Sequence, residues 1–270
     1  MMVNIYKEDE IELLRESSLL VGKTLAEVAK HLKPGVTTKY LDTIAEEFIM
    51  DHKAKPVFKG YFGYPASLCI SINEQVVHGI PGDRVVKEND IISIDCGTVL
   101  NGYVGDSAYT FAMGEVQDEV LNLLVATKES LYRGIEAAIA GNRIGDIGYA
   151  IQSYVEAKGY SVVRELVGHG VGKKLHEKPE VPNFGRRGNG VKLKKGMVIA
   201  IEPMINLGTY RVFQENDGWT IRTQDLNPSA HYEHDVAIGE GKSDILSSFE
   251  LIENSIKMNK NINPKTISNG

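Results

Sequence analysis

Apolar residues recur at three- and four-residue spacing in the opening stretch of the chain. Leu14, Val21, Leu25, Val28 and Leu32, with the small Ser18 among them, share one face of a helix expected over 9–32, which Lys33-Pro34-Gly35 ends. A second helix follows Thr37-Thr38, with Leu41, Ile44, Ala45, Phe48 and Ile49 on one side. From Pro56 to Phe111 the period shifts toward two. Cys69-Ile70-Ser71-Ile72 and Ile91-Ile92-Ser93-Ile94-Asp95-Cys96 read as strands bounded by Gly, Pro and Asn. Then the order repeats: helices over about 116–140 and 144–158, ending at Gly141-Asn142 and Gly159, with strands from Val162 onward. A shift of 106 residues lays Gly35 on Gly141, Leu41 on Ile147, Phe48 on Tyr154 and Ile49 on Val155, and a shift of 107 lays Asp95 on Glu202. We therefore expect an α/β (α+β) chain of two pseudo-symmetric helix–helix–strand halves that share a sheet, with a cleft where they meet. No linker divides them, so 1–270 is expected as one domain. The polar tail after Asn259 is expected to fray.

Charge and composition narrow the class. The chain has 270 residues and a formal net charge of −6, which excludes a globally basic nucleic-acid coat protein. With 42% hydrophobic and 24% charged residues it is globular rather than disordered. No apolar run approaches the ~20 residues of a membrane helix, and the first nine residues show no secretory h-region. The only cysteines, Cys69 and Cys96, sit in strand-like stretches and form no stapling framework, so a reduced, cytoplasmic protein is expected.

The chemistry gathers in carboxylates placed where strands should be buried. Asp95 and Asp106 flank Asn101-Gly102, a strong hairpin dipeptide. A loop at 101–102 sets Asp106 opposite Gly97, and a loop at 100–101 sets it opposite Asp95. Side chains alternate, so either register leaves both carboxylates on one face. An exposed hairpin face would be the bland explanation, but Ile91-Ile92-Ser93-Ile94 is apolar on both sides, as in a central strand. Glu202 ends the apolar run Val198–Ile201 just before Pro203, Glu233 lies in His231-Tyr232-Glu233-His234-Asp235-Val236, and His169 sits in Gly168-His169-Gly170-Val171-Gly172, with His176 seven residues on. Each alone is ambiguous. Together, four carboxylates and one or more imidazoles on core-like strands ask for positive charge. Two divalent cations would neutralise them, and an oxygen-rich site with one imidazole suits Mn, Fe, Co or Zn. Paired metals make a hydroxide near neutral pH beside a carbonyl, the signature of a dinuclear metallohydrolase.

The motifs resemble those of type I methionine aminopeptidases. The match runs through Ser67–Pro81 (Ser-Leu-Cys-Ile-Ser-Ile-Asn-Glu-Gln-Val-Val-His-Gly-Ile-Pro), Ile94-Asp95-Cys96-Gly97 with Tyr103-Val104-Gly105-Asp106, Gly168–Gly172, Ile201-Glu202-Pro203-Met204 and Tyr232-Glu233-His234, and covers roughly residues 8–252. The resemblance implies a pita-bread fold, two pseudo-symmetric α/β halves on a curved, largely antiparallel sheet. It implies metal ligation by Asp95, Asp106, His169, Glu202 and Glu233, and removal of an initiator methionine preceding a small residue, through attack of a metal-activated hydroxide on the first peptide carbonyl. It puts His78 and His176 against the substrate amide and the tetrahedral intermediate, and makes Glu202 a proton shuttle. It also places Tyr61, Tyr64, Cys69 and Trp219 around the methionine side chain. Without it, Trp219 would read as ordinary packing beside Gly218. Asn73 and Ser229 match positions near a monovalent-cation site of relatives.

The chain also departs from that pattern. Phe58 and Leu175 stand where bacterial relatives often carry cysteine and phenylalanine, which redistributes bulk around the pocket. Asp235 replaces a common hydroxyl residue and adds a carboxylate on the face of Glu233. Between Lys173 and Lys195 eight Lys/Arg outnumber two Glu, a local net +6. Solvated rim is one reading, and docking to ribosomal RNA near the nascent-chain exit, where relatives act, is the other. The same resemblance suggests a monomer acting on peptides and nascent chains, with no membrane. Two rival classes remain. Creatinase, prolidase and aminopeptidase P share the ligand pattern but not the Asn73–Pro81 motif. A non-enzymatic module on this fold would have lost ligands, and all five positions are intact.

Overall fold

The protein, in a computed structural model, is described over residues 3–267. Helix α1 (Glu8–His31) carries Glu8, Asp9 and Glu10 in its first turn and Lys30 and His31 in its last, each favourable for the helix dipole. Its apolar stripe, including Leu14, Val21, Leu25 and Val28, is buried. Helix α2 (Thr38–Asp51) starts under a cap in which the Thr37 hydroxyl accepts from the Tyr40 N–H at 3.2 Å. Five strands complete the first half: β1 (Lys55–Pro56), β2 (Leu68–Ile72), β3 (Gln75–Val77), β4 (Ile91–Leu100) and β5 (Tyr103–Ala112). The second half repeats the plan with α3 (Asp118–Ala137), α4 (Ile144–Glu156), β6 (Ser161–Val162), β7 (Gly168–Gly170), β8 (Glu177–Val181), β9 (Val198–Ile201) and β10 (Met204–Asn206). A hairpin, β11 (Val212–Gln214) and β12 (Ile221–Thr223), precedes β13 (Ser229–His231), β14 (His234–Ala237), β15 (Asp244–Ile245) and α5 (Glu250–Met258).

Pairing among the described strands is antiparallel throughout. The shared sheet foreseen from sequence is divided by its hydrogen bonding into four: β1, β2 and β5 around β4; β13-β10-β6; β11-β12-β3; and β15-β14-β9-β7-β8. Internal duplication is visible in the backbone. The Gly35 N–H donates to the Val86 carbonyl at 2.9 Å and that of Gly141 to Leu193 at 3.0 Å. Val86 and Leu193 return the bond to Val36 and Asn142, both at 2.8 Å, and the bridges Thr37–Val85 and Arg143–Lys192 follow. Both glycines have positive φ, +94° and +102°, where a Cβ would be strained. One continuous apolar core draws on both halves, from Leu25 and Ile94 to Ile147 and Ile201.

Where the halves meet, they are stitched rather than merely packed. The Ser107 hydroxyl donates to the Glu233 carbonyl at 2.7 Å, the Thr110 hydroxyl to that of His231 at 2.7 Å, and the Glu233 N–H to Ala108 at 3.0 Å. This locks residues 231–235 onto β5, beside Asp106.

The tail departs from expectation. Residues 259–267 do not fray: Ile262 and Thr266 are buried, Met113 bridges Ile262, and the buried Lys128 ammonium donates to the Thr266 carbonyl at 2.7 Å. An isoleucine and a lysine-anchored carbonyl outweigh the polar composition that suggested fraying. Residues 268–270 lie outside the described part.

Candidate active site

The hairpin register is the one that sets Asp106 opposite Gly97, with Asp95 opposite Ala108 and, on the other side, Cys69. Asp95 and Asp106 are therefore diagonal neighbours on one face. From the other half, β7 brings His169, Glu202 follows β9, and Glu233 lies between β13 and β14. Strand β7 packs closely between β8 and β9 because glycines flank His169. A Cβ on Gly168 would collide with the Ala200 carbonyl, and one on Gly170 with that of Lys178.

These five side chains line one cavity of about 300 Å³. Ligand atoms of Asp106, His169 and Glu233 all lie within 4.8 Å of one another. His169 Nε2 is 3.9 Å from Asp106 Oδ2 and 3.6 Å from Glu202 Oε1. Its Nδ1 is 3.0 Å from the Gly170 carbonyl, to which it donates. That fixes the tautomer and turns a bare Nε2 lone pair toward the carboxylates, as a ligating histidine requires. Burial keeps the ring neutral, lowering its pKa to about 3.

The acids show the opposite strain. Burial, then mutual repulsion, drives Asp106 and Glu233 well above the ordinary carboxylate range. Burial raises Asp95 to about 7 and Glu202 to about 8. Asp95 Oδ1, Asp106 Oδ1 and Glu233 Oε1 are buried without a hydrogen-bond partner. Buried carboxylate oxygens left this way are costly unless a cation meets them, so the donor set fits divalent metal.

The rest of the cavity is aromatic and apolar. Tyr64, nearly fully buried, donates to the Leu68 and Gly79 carbonyls at 3.0 Å each, which pins its ring beside β2. Trp219 sits edge-on to Tyr64 with centroids 5.1 Å apart, and its backbone N–H donates to the Asp217 carboxylate at 2.9 Å in the β11–β12 turn. Cys69, Phe58 and Leu175 complete that wall. His78 follows β3 at φ +60°, a strained position for a residue with a Cβ. Burial lowers its pKa to about 4, so it is neutral at pH 7. His176, the most exposed imidazole of the site, has Nδ1 2.7 Å from the Tyr61 hydroxyl and stands edge-on to His169 at 4.3 Å. All residues expected to touch substrate thus border this cavity.

Asp235 is fully buried behind Asp106, its Oδ2 accepting from the Asp106 N–H at 2.7 Å and the Ser18 hydroxyl at 2.8 Å. Asn73 and Ser229 also meet, the Ser229 N–H donating to the Asn73 carbonyl at 2.9 Å. Sequence reasoning passed over His231, whose buried Nε2 lies 3.5 Å from Glu202 Oε2, and Phe62, 85% exposed at the cavity mouth. For His231 the signal was alternation: it is two residues from Glu233, hence on the same face.

The model of metallopeptidase family M24 matches residues 12–240. The chain belongs to metallopeptidase family M24. It is 54% identical to a methionine aminopeptidase of Clostridium acetobutylicum over 250 residues, 92% of this chain and 100% of that protein. The crystal structure of methionine aminopeptidase from Rickettsia prowazekii superposes with a TM-score of 0.90 at 40% identity, over 92% of this chain and all of that one. Prolidase from Pyrococcus furiosus, at 22% identity and a TM-score of 0.76, covers 91% of this chain and 66% of its own length, a likeness of fold alone. The paired halves are the pita-bread architecture of the M24 family. Membership in this metallopeptidase family implies use of a divalent metal. Among the described residues no helix is long and apolar enough to cross a membrane.

Proposed function

We propose that the protein is a methionine aminopeptidase, a single catalytic domain that removes N-terminal methionine from peptides and nascent chains whose next residue is small. The observation that carries this reading is that Asp95, Asp106 and Glu233, each with a buried partnerless oxygen, line the same cavity that Tyr64, Cys69 and Trp219 wall with apolar surface. Asp95, Asp106, His169, Glu202 and Glu233 would hold two divalent cations of the Mn, Fe, Co or Zn class. Bound there, such cations supply Lewis acidity and a water acidic enough to ionise near neutral pH.

The side chains do the rest. Glu202, ionised once metal is bound beside it, would accept a proton at its carboxylate and return it to the leaving amine. Neutral His78 donates an N–H toward the substrate amide, and His176, steadied by Tyr61, donates toward the developing oxyanion. Tyr61, Tyr64, Cys69 and Trp219 select the methionine side chain by shape. One methylene is worth about 1–3 kcal/mol in such a pocket, so close analogues of methionine react slowly rather than not at all.

The reading extends to a cytoplasmic monomer, since initiator removal occurs where chains are made and one chain supplies every group. Asn73 and Ser229 are proposed to border a monovalent cation. The eight basic residues between Lys173 and Lys195 are all exposed, and Lys173, Lys178 and Lys195 pair with Glu10, Glu180 and Glu8. The remainder is proposed to dock ribosomal RNA. Assaying Met-Gly-X against X-Pro peptides, with Mn, Fe or Co supplied, tests the central claim. Release of methionine from the first set alone supports it, and preference for X-Pro or no turnover with any metal overturns it.

A further inference from the structure

His231 is the one imidazole of the site to which the reading above gives no task, and its surroundings leave little freedom. The residue ends β13, where its N–H donates to the Thr110 hydroxyl at 3.0 Å and its carbonyl accepts from that hydroxyl at 2.7 Å. Only 1% of it is exposed. Among the described residues its Nε2 has no hydrogen-bond partner, and it faces Glu202 Oε2 at 3.5 Å, just beyond hydrogen-bonding geometry. Glu202 is thus bracketed by two rings, with His169 Nε2 3.6 Å from Oε1 and His231 Nε2 on Oε2.

The two brackets are chemically unlike. His169 spends its ring proton on the Gly170 carbonyl, so it shows Oε1 a lone pair, compatible only if a cation, or in the metal-free protein the proton of Glu202 itself, lies between them. No such cation separates a ring from Oε2 if that ring bears its proton on Nε2: donor then meets acceptor, and the buried nitrogen is no longer orphaned. We infer that His231 donates Nε2–H to Glu202 Oε2 and so decides which oxygen of Glu202 turns to the metals, making His231 a positioning residue for that carboxylate. A 3.5 Å separation needs only a small side-chain adjustment to close, and site hydrogen bonds commonly tighten on loading. Thr110, gripping the His231 backbone from β5 of the other half, transmits the register of one half to a ligand of the other.

This inference rests on the reading of Glu202 as a ligand in a two-metal centre. The test is Mn²⁺ binding by calorimetry to metal-free wild type, H231L, which fills the space without a donor, and H231Q, whose amide N–H can replace the imidazole's. Hydrolysis of a Met-Gly-X tripeptide and the melting temperature of each metal-free protein are measured alongside. We expect H231L to weaken Mn²⁺ binding 10–100-fold, the usual range for a lost ligand-orienting partner. Its kcat should fall with KM nearly unchanged, and H231Q should recover most of both. Should H231L not fold, H231A supplies the same comparison against H231Q. Mn²⁺ binding by H231L at wild-type affinity overturns the inference, as does H231Q no better than H231L. Loss of a whole Mn²⁺ equivalent in both variants overturns it too, because His231 would then be a ligand itself. Wild type that takes up no Mn²⁺ overturns the metal-centre reading, and this inference with it.

Discussion

The protein buries charge in two places and treats it in opposite ways. Lys128, 2% exposed, is matched from within the chain: its ammonium donates to Glu253 at 2.8 Å and to the Thr266 carbonyl at 2.7 Å, and lies over the Tyr109 ring. At the junction of the halves, Asp95, Asp106, Glu202, Glu233 and Asp235 gather, among the described residues, with no Lys or Arg paired to them, and four of their oxygens lack partners. The first cluster is finished by folding and holds the C-terminal segment in place. The second is left acidic, and only something from outside can complete it. Buried charge alone therefore says little about function; whether the chain satisfies it says much.

The largest expected effect separates the two clusters directly. Asp106→Asn or Glu202→Gln should cut methionine release by about 10²–10⁴-fold, the scale of losing a positioned catalytic group. The metal-free protein should melt no lower than wild type, because an acid whose ionisation burial and its acidic neighbours oppose is replaced by a neutral amide. A clear drop in its melting temperature would contradict the picture of an unmatched cluster. Lys128→Met should do the reverse. Breaking a buried pair costs about 3–5 kcal/mol, or roughly 6 °C or more of melting temperature at this size, with Mn²⁺ affinity unaltered; equal stability would show that the lysine anchor is idle.

pH discriminates next. Because burial raises Glu202 to about 8 and Asp95 to about 7, the folded metal-free protein keeps protons that the unfolded chain has already lost near pH 4. Stability from these acids is present at low pH and drains away as pH rises through 7 to 8. His169 at about 3 and His78 at about 4 oppose this only below about 6.5, where the unfolded rings become charged. Metal-free protein should therefore melt lower at pH 8.5 than at pH 7, and Mn²⁺ should abolish the difference. Melting curves that coincide at the two pH values without metal would count against it. The acids must also release protons to bind metal, so Mn²⁺ affinity should rise across the same window.

The smallest effect lies outside both clusters. Reversing Arg186 and Arg187 to Glu should leave tripeptide hydrolysis within twofold and lower ribosome affinity only at low salt. A salt-independent affinity, or one untouched by the reversal, would return this segment to plain solvated rim.

How much of this was readable in advance depends on the range of the interaction. Helices and strands followed from periodicity, and the duplication that relates Gly35 to Gly141 was there in the spacing, since local pattern and local geometry share a period. The four carboxylates stood out because charge on an apolar strand is anomalous even before folding, while the choice of His169 beside them came from the family resemblance. Asn101-Gly102, by contrast, admitted two registers. Only pairing along the whole of β4 and β5 chose the one with Gly97 opposite Asp106. The polar tail misled because Ile262 and the Thr266 carbonyl find partners more than a hundred residues away, in Met113 and Lys128. For His231, alternation with Glu233 gave the face, but only the fold shows that its ring ends beside Glu202. The linear chain determined which elements form and which residues are chemically out of place. The folded molecule alone decided which of those residues face one another and which are left unsatisfied, because both depend on atoms brought together from distant parts of the chain.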